Sequence, residues 1–404
     1  MAMENSDNRE PTESGSDSLL IHCPIKGPQS FTPCEEDEVT PLVEFLYQNE
    51  SVDDAKTFPR GTMLPDGRLD LCKQNLGPSG CQRVTEALYD NHFVRSLLLG
   101  TDGIGDEGAK AVADLIKANE SLEIVYLGCN GISAAGVTQL ADGLETNSSV
   151  QGLWLKRNPI GKAGAVAAAR IVRQSKTLRV LDLVNTKIGS EGLEEVIDAL
   201  LLQDCSIERL YLGGNGFDAA DAQLFANLIR KNQTLKALML SVNHFADAGA
   251  IEIANALSQN TTLQNLGLAS NSIGPDGIAA VADATRNHPQ LRHLDLGYAP
   301  STKVLGASAN RLGDAGSDAI AGLLRQNNVL QRISLAKTDM SPEQTQLICN
   351  AVLQNNSLID LTMDGRRSDQ VREHLDANRK SIEADPKPMD VQLIRSVYRT
   401  ARPS

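Results

Sequence analysis

Six side chains recur at one position of a near-constant interval of about 28 residues: Leu98, Tyr126, Trp154, Asp182, Tyr211 and Met239. Aromatic residues make up only 3% of the chain, so the single Trp and two of the Tyr sharing one position is not what scattering would give. Lys156, Arg157 and Arg209 lie within three residues of members of the set. The chemistry open to such a group is recognition. Clustered aromatic and Arg side chains on a surface are the usual anchors of a protein interface, and leaving them in water is unfavourable unless a partner covers them. Gly100, Gly128 and Gly213 nearby suggest an open surface. The competing reading is that the rings pack on one another and stiffen the elements that carry them.

Catalytic chemistry finds little support. There is no nucleophile elbow, no H-E-x-x-H pair and no glycine-rich phosphate cradle. Asp182 and Asp295 occupy the same column of the repeat but four units apart, too far for paired-carboxylate work. His244, His288 and His293 fall in different units, and His22, Cys23 and Cys34 match no zinc spacing. The sequence therefore predicts no metal and no cofactor.

The elements that position the column are read from the interval itself. Pairs such as Leu97/Leu99, Val125/Leu127, Leu153/Leu155, Leu181/Leu183 and Leu210/Leu212 repeat from Leu69 to Met363, giving eleven units. Alternating leucines put two side chains on one face of a short strand, and the residue between them on the other. Each unit continues into a helical half, as at Val137 to Asn147. No unit so short can bury its apolar face alone, so the units must stack as a solenoid with parallel strands inside and helices outside. Three residues after the second leucine stands Asn130, Asn158, Asn215, Asn243, Asn271 or Asn310. A polar ladder is expected there, because backbone groups at the turn inside the stack would otherwise be buried unpaired. The glycine that follows, such as Gly108 or Gly164, suits a crowded entry to the helix.

The pattern L-x-x-L-x-L-x-x-N-x-I-G-x-x-G resembles the ribonuclease-inhibitor-like class of leucine-rich repeats over Leu69 to Met363. The resemblance implies a curved α/β horseshoe, with parallel strands on the concave face and α-helices on the convex face. By analogy with the class, the chain is expected to be a protein-interaction scaffold and not an enzyme; the column and its flanks then place the partner protein on the concave face at Leu98, Tyr126, Trp154, Lys156, Arg157, Asp182, Arg209, Tyr211 and Met239. Two other readings come with the class. One is a GTPase-activating role resembling the Ran GTPase-activating protein, with Arg157, Arg311 or Lys303 at the solenoid edge. The other is a bacterial secreted effector, to which the acidic head would be the leader. Ribonuclease inhibitor itself has Cys at many ladder positions, and this chain has none there.

The solenoid is expected over 69–365. Residues 1–34, rich in Ser, Asp, Glu, Thr and Pro, read as an acidic leader without fixed structure. Residues 35–68 read as an N-terminal helical cap and turn, with Val39, Leu42, Val43, Phe45 and Leu46 at helical spacing behind an acidic start. Eleven extra residues follow Leu296, and 298–308 is expected to bulge as a loop carrying Tyr298 and Lys303. Residues 366–404 read as a C-terminal helical cap and tail. Within them Val391 to Arg399 carries Leu393, Ile394 and Val397, and the sequence leaves its docking open.

The net charge of −13 sits mainly in the head, where residues 1–60 hold 13 acids against 4 bases. Without clustered Lys and Arg, nucleic acid is not an expected partner. No apolar run approaches a membrane span. Seven cysteines without paired spacing suit reduced thiols, so the expectation is a cytoplasmic protein, monomeric in solution.

Overall fold

The computed structural model describes residues 19–23, 27–365, 367–382 and 392–398; of 19–23 and 27–31 only the backbone is described. Eleven three-residue strands, from β5 (Arg68–Asp70) to β15 (Asp360–Thr362), lie side by side in chain order and pair in parallel. Register follows the repeat, with Leu97 opposite Val125 and Tyr126 opposite Trp154. Helices α2 (Gly77–Ala87) to α11 (Pro342–Val352) return the chain from each strand to the next and pack on one another outside the sheet. The result is an open, curved α/β solenoid. Its core is a continuous leucine layer between strands and helices, in which Leu153, Leu155, Leu181 and Leu183 are fully buried.

Two rows of polar side chains hold the turns. Asn158 Oδ1 accepts from the Asn130 amide at 2.8 Å, while its Nδ2 donates to the carbonyls of Leu127 and Leu155. The same arrangement recurs at Asn130, Asn215, Asn243, Asn271 and Asn310. Each amide thus joins one rung to the rung before it, and those of Asn158, Asn215, Asn243, Asn271 and Asn310 also close their own turns. The second row stands where the chain leaves each helix. Asn119 Oδ1 accepts from the amides of Ser121 and Leu122, and its Nδ2 reaches back to the carbonyls of Leu88 and Asn91. Asn91, Asn232, Asn260, Asn327 and Asn355 do likewise. At the helix entry, a Cβ on Gly164 would stand 2.5 Å from Ile160 Cβ, so only glycine lets the turn close on that isoleucine.

Helix α1 (Glu36–Gln48) covers the N-terminal end of the stack, burying Val39, Leu42, Val43, Phe45 and Leu46. Beyond it, β3 (Lys56–Thr57) and β4 (Thr62–Met63) add two antiparallel strands to the sheet. Alternation cannot reveal strands of two residues, and the sequence reading has only a turn there. The expected leader without fixed structure needs correcting where the chain is described. Residues Leu19–Cys23 (β1) and Gly27–Phe31 (β2) pair antiparallel, and the Cys34 amide donates to the Asn75 carbonyl at 2.7 Å. The apolar patch Leu19-Leu20-Ile21 falls in the first of these strands, and composition averaged over the whole leader conceals it. Residues 1–18 and 24–26 lie outside the described residues. At the other end α12 (Asp369–Ser381) buries Val371 and Leu375 against the last rung.

Candidate protein-binding face

The strand positions between the core leucines face the concave side, and the structure seats the aromatic set there in an unexpected way. Trp154 and Gly152 share one face of β8 (Gly152–Trp154), and the indole lies back over the glycine. A Cβ at Gly152 would stand 2.7 Å from Trp154 Cη2. Tyr126 is laid between Gly100 and Gly128, whose added Cβ atoms would come within 2.8 Å of its Cε1 and its hydroxyl. Met239 covers Gly267 in the same manner. The glycines therefore hold the large side chains instead of leaving an open surface. Trp154 is 2% exposed, Tyr126 5% and Leu98 not at all, which corrects the expectation that they stand in solvent.

Flat packing is one cause of this burial, and the C-terminal segment is the other. Cys72, Leu98, Ile124, Tyr126, Trp154 and Val180 form a second apolar cluster, separate from the solenoid core, that also contains Leu393, with Tyr211 and Ile394 against it. Residues 392–398 thus sit on the concave face of the first rungs, the position the sequence left open. Arg395 N closes one turn on the Gln392 carbonyl at 3.1 Å, and Ser396 and Val397 then lie over β5.

Around the cluster the polar groups are tied to the sheet. Lys156 Nζ lies 5.2 Å from the centre of the Tyr126 ring and 4.0 Å from Asp182 Oδ2. Asp182 Oδ1 accepts from the Val184 amide at 2.9 Å, and Arg209 Nη2 donates to the Tyr211 hydroxyl at 3.0 Å. Arg157 occupies the turn with a left-handed backbone, φ 61°, and is half-buried. At the incoming ends of the strands runs a row of alternating charge. Arg95 pairs with Glu123 at 2.5 Å, and Glu208 with Lys236 at 2.8 Å and Arg179 at 3.8 Å. A groove of about 370 Å³ opens between this row and Ile124, Val180 and Leu393.

The inserted segment after Leu296 is a folded flap. Thr302 is buried, its hydroxyl donating to Ser270 Oγ at 2.7 Å, and Leu305 reaches Gly214 of an earlier rung. Tyr298 takes the Lys337 ammonium 4.4 Å from its ring centre, and Lys303 is exposed. Arg157 lies on the turn after β8 and Arg311 after β13 (His293–Asp295), five strands or about 24 Å apart along the sheet, so the structure does not gather them at one site. The three histidines stay separate as well. His293 lies on β13, its pKa lowered by burial, while His288 replaces an asparagine of the second polar row. Its Nδ1 accepts from the amides of Gln290 and Leu291, and burial lowers its pKa to about 4. Among the described residues no three His, Cys, Asp or Glu side chains converge on a common metal position. No described helix is long and apolar enough to cross a membrane.

The leucine-rich repeat family profile matches residues 118–141, 174–196, 231–254 and 259–282, each spanning a strand, the turn after it and most of the following helix. The chain carries leucine-rich repeats. No curated protein matches the sequence. Among solved structures, this leucine-rich-repeat chain is similar to that of yeast Rad7 in complex with Elc1, at 18% identity and TM-score 0.42 over 74% of each chain. It is also similar to the actin-binding site 2 of leiomodin-1, at 16% identity and TM-score 0.32, covering 46% of this chain and 88% of that one. The C-terminal domain of tropomodulin from Caenorhabditis elegans stands at 12% and 0.30, covering 47% and 94%.

The sequence reading missed the second asparagine row and left the docking of the tail open. The first has a signal in the repeat itself, since Asn91, Asn119 and Asn147 recur at the same interval as the leucines. The second has only the apolar trio Leu393, Ile394 and Val397, because a contact between the two ends of a long chain leaves no local trace.

Proposed function

We propose that this protein is a non-enzymatic recognition scaffold of the ribonuclease-inhibitor-like subclass, which binds a segment of a partner protein on its concave face. The near-constant period, with a full α-helix in each unit, such as Gly105–Ala118 or Ala222–Lys231, supports the subclass. One observation carries the function: a polypeptide, the chain's own residues 392–398, is already seated on that face. The face offers it an apolar socket and hydrogen-bonding groups for its backbone. Peptide recognition on leucine-rich and other solenoids needs that combination of anchor pocket and main-chain contacts. The binding residues proposed are Tyr126, Trp154, Lys156, Asp182, Arg209, Tyr211 and Met239, with Leu98 beneath them and Arg157 at the turn. The setting proposed is the cytoplasm, where the unpatterned cysteines stay reduced.

The full chain, an Arg209→Glu/Lys236→Glu variant and a convex-face control, Val166→Asp, serve as baits in affinity purification. The proposal expects a protein retained by the chain and the control and lost from the groove variant. Equal recovery by all three baits removes the concave face as the site.

A further inference from the structure

We infer that the first five rungs form a peptide-recognition groove of defined chemistry, kept occupied by the chain's own tail. The partner that replaces the tail is then a protein segment of the form Leu-x-x-Ser-x-Tyr. The inference rests on the proposed concave-face function and names what that face reads.

Three strand aspartates, Asp70, Asp182 and Asp295, make the same local bond, each accepting the amide two residues on, at 3.1, 2.9 and 3.0 Å. Asp70 differs in what it does with the rest of its carboxylate. Its Oδ1 also accepts the Ser396 hydroxyl at 3.0 Å, and its Oδ2 accepts the Val397 amide at 2.6 Å. It is thereby fully buried at the surface of a sheet. On either side, Ser96 Oγ donates to the Leu393 carbonyl at 2.7 Å, and the Arg68 guanidinium donates to the Arg395 carbonyl. The groove thus holds main-chain groups at 393, 395 and 397, in a segment that makes one turn at Gln392–Arg395 and a second bend at Ser396–Tyr398. Specificity comes from three side chains. Leu393, 7% exposed, fills the socket of Ile124, Trp154 and Val180; the Ser396 hydroxyl meets Asp70; the Tyr398 hydroxyl lies 2.6 Å from Thr62 Oγ1.

Much of the segment still meets solvent. Gln392, Arg395 and Val397 are exposed, with Val397 at 55%; among the described residues one buried leucine and a set of hydrogen bonds fasten the segment, an amount that another peptide can displace. Past Leu393 the groove is lined by Arg95, Glu123, Arg179, Glu208 and Lys236. A partner segment running further along the groove than residues 392–398 meets that charged row.

Trp154 is the only tryptophan in the chain and lies in the socket, so its fluorescence reports occupancy without any partner. Acrylamide quenching is measured on the full chain, on Leu393→Asp, and on Ser396→Ala/Val397→Pro, which leaves Leu393 and Ile394 in place. Both variants are expected to raise the quenching constant severalfold. A synthetic peptide spanning Val391 to Arg399 should return the Leu393→Asp chain to the protected state, while the same peptide carrying Leu393→Asp should not. Quenching unchanged in both variants means the wall alone shields Trp154 and overturns the inference, as does a peptide that fails to restore protection. Since the readout needs no bait, its failure and that of the affinity purification are separate results.

Discussion

The carboxyl of Asp102 shows how much one atom decides in a stacked turn. It stands in the asparagine row, where its Oδ1 accepts the Gln74 amide at 2.8 Å as an asparagine oxygen does. Its neighbours' Nδ2 atoms donate to carbonyls of the preceding rung, as Asn130 does to Leu99. Asp102 has an oxygen there, and among the described residues that Oδ2 has no hydrogen-bond partner. Burial drives its pKa well above the ordinary 3.8, against the amides of Gln74, Asn75 and Leu76, which lower it. A carboxyl protonated when folded and ionised when unfolded binds more protons in the native state. Stability is therefore fully present below about 3.8 and falls as pH rises towards the folded value. Asp102→Asn supplies the missing donor and removes the titration. The expected gain is about 1–3 kcal/mol at pH 7, shrinking towards pH 4, read from denaturant melts at both values. A variant less stable than the parent at pH 7 would contradict this account of the row.

At the scale of single elements, β8 shows both what the sequence discloses and what it hides. Leu153 and Leu155 declare a strand by alternation, and their burial follows from the repeat. The partition of the other face does not follow, because a glycine two residues from a tryptophan is consistent with open space or with a ring folded onto it. The structure has the second, with Gly152 beneath Trp154. Strand order, register, the helices and the first asparagine row were all legible, since each is set by contacts one period apart. The flap after Leu296 was legible as an insertion, but its fold over Ser270 and Gly214 was not, and the same holds for the tail. These depend on contacts that no local spacing encodes. The glycine argument can be tested directly. Gly152→Val drives a branched side chain into the indole, so it should cost about 1–3 kcal/mol by overpacking and move the Trp154 emission to the red. Gly131→Ala is a fitting control, because an added Cβ there meets nothing within 4 Å, although its φ of 75° makes some strain unavoidable. Trp154 emission unchanged in Gly152→Val would mean that the ring does not lie over the glycine.

For the whole molecule, contacts run between neighbours: strands pair in chain order, and successive helices pack on each other. Such a stack has no single centre, and its ends are where apolar layers would meet water. Helix α1 covers one end, and α12 covers the other through Val371 and Leu375. Asn378 ties α12 to the last turn, donating to the carbonyls of Asn355 and Leu358 at 2.9 and 2.8 Å. Damage to that cap should therefore stay near it. Leu375→Asp places a charge against the last rung, where ionisation without a partner is costly, so α12 should detach. In hydrogen exchange the amides of β14 (Arg332–Ser334), β15 and α11 are expected to lose protection by a factor of ten or more. Those of β7 (Ile124–Tyr126) to β9 (Val180–Asp182) should exchange at the parent rate, because several intact interfaces separate them from the lesion. The tail adds a sharper discrimination. Residues 392–398 follow α12 in sequence but bind rungs one to five, so a detached cap leaves their contacts with Asp70 and Ser96 in place if the groove holds them by its own chemistry. Trp154 quenching in Leu375→Asp should then match the parent while α11 exchanges freely. Uniform loss of protection from β5 to β15 would instead show one cooperative body and defeat the nearest-neighbour account.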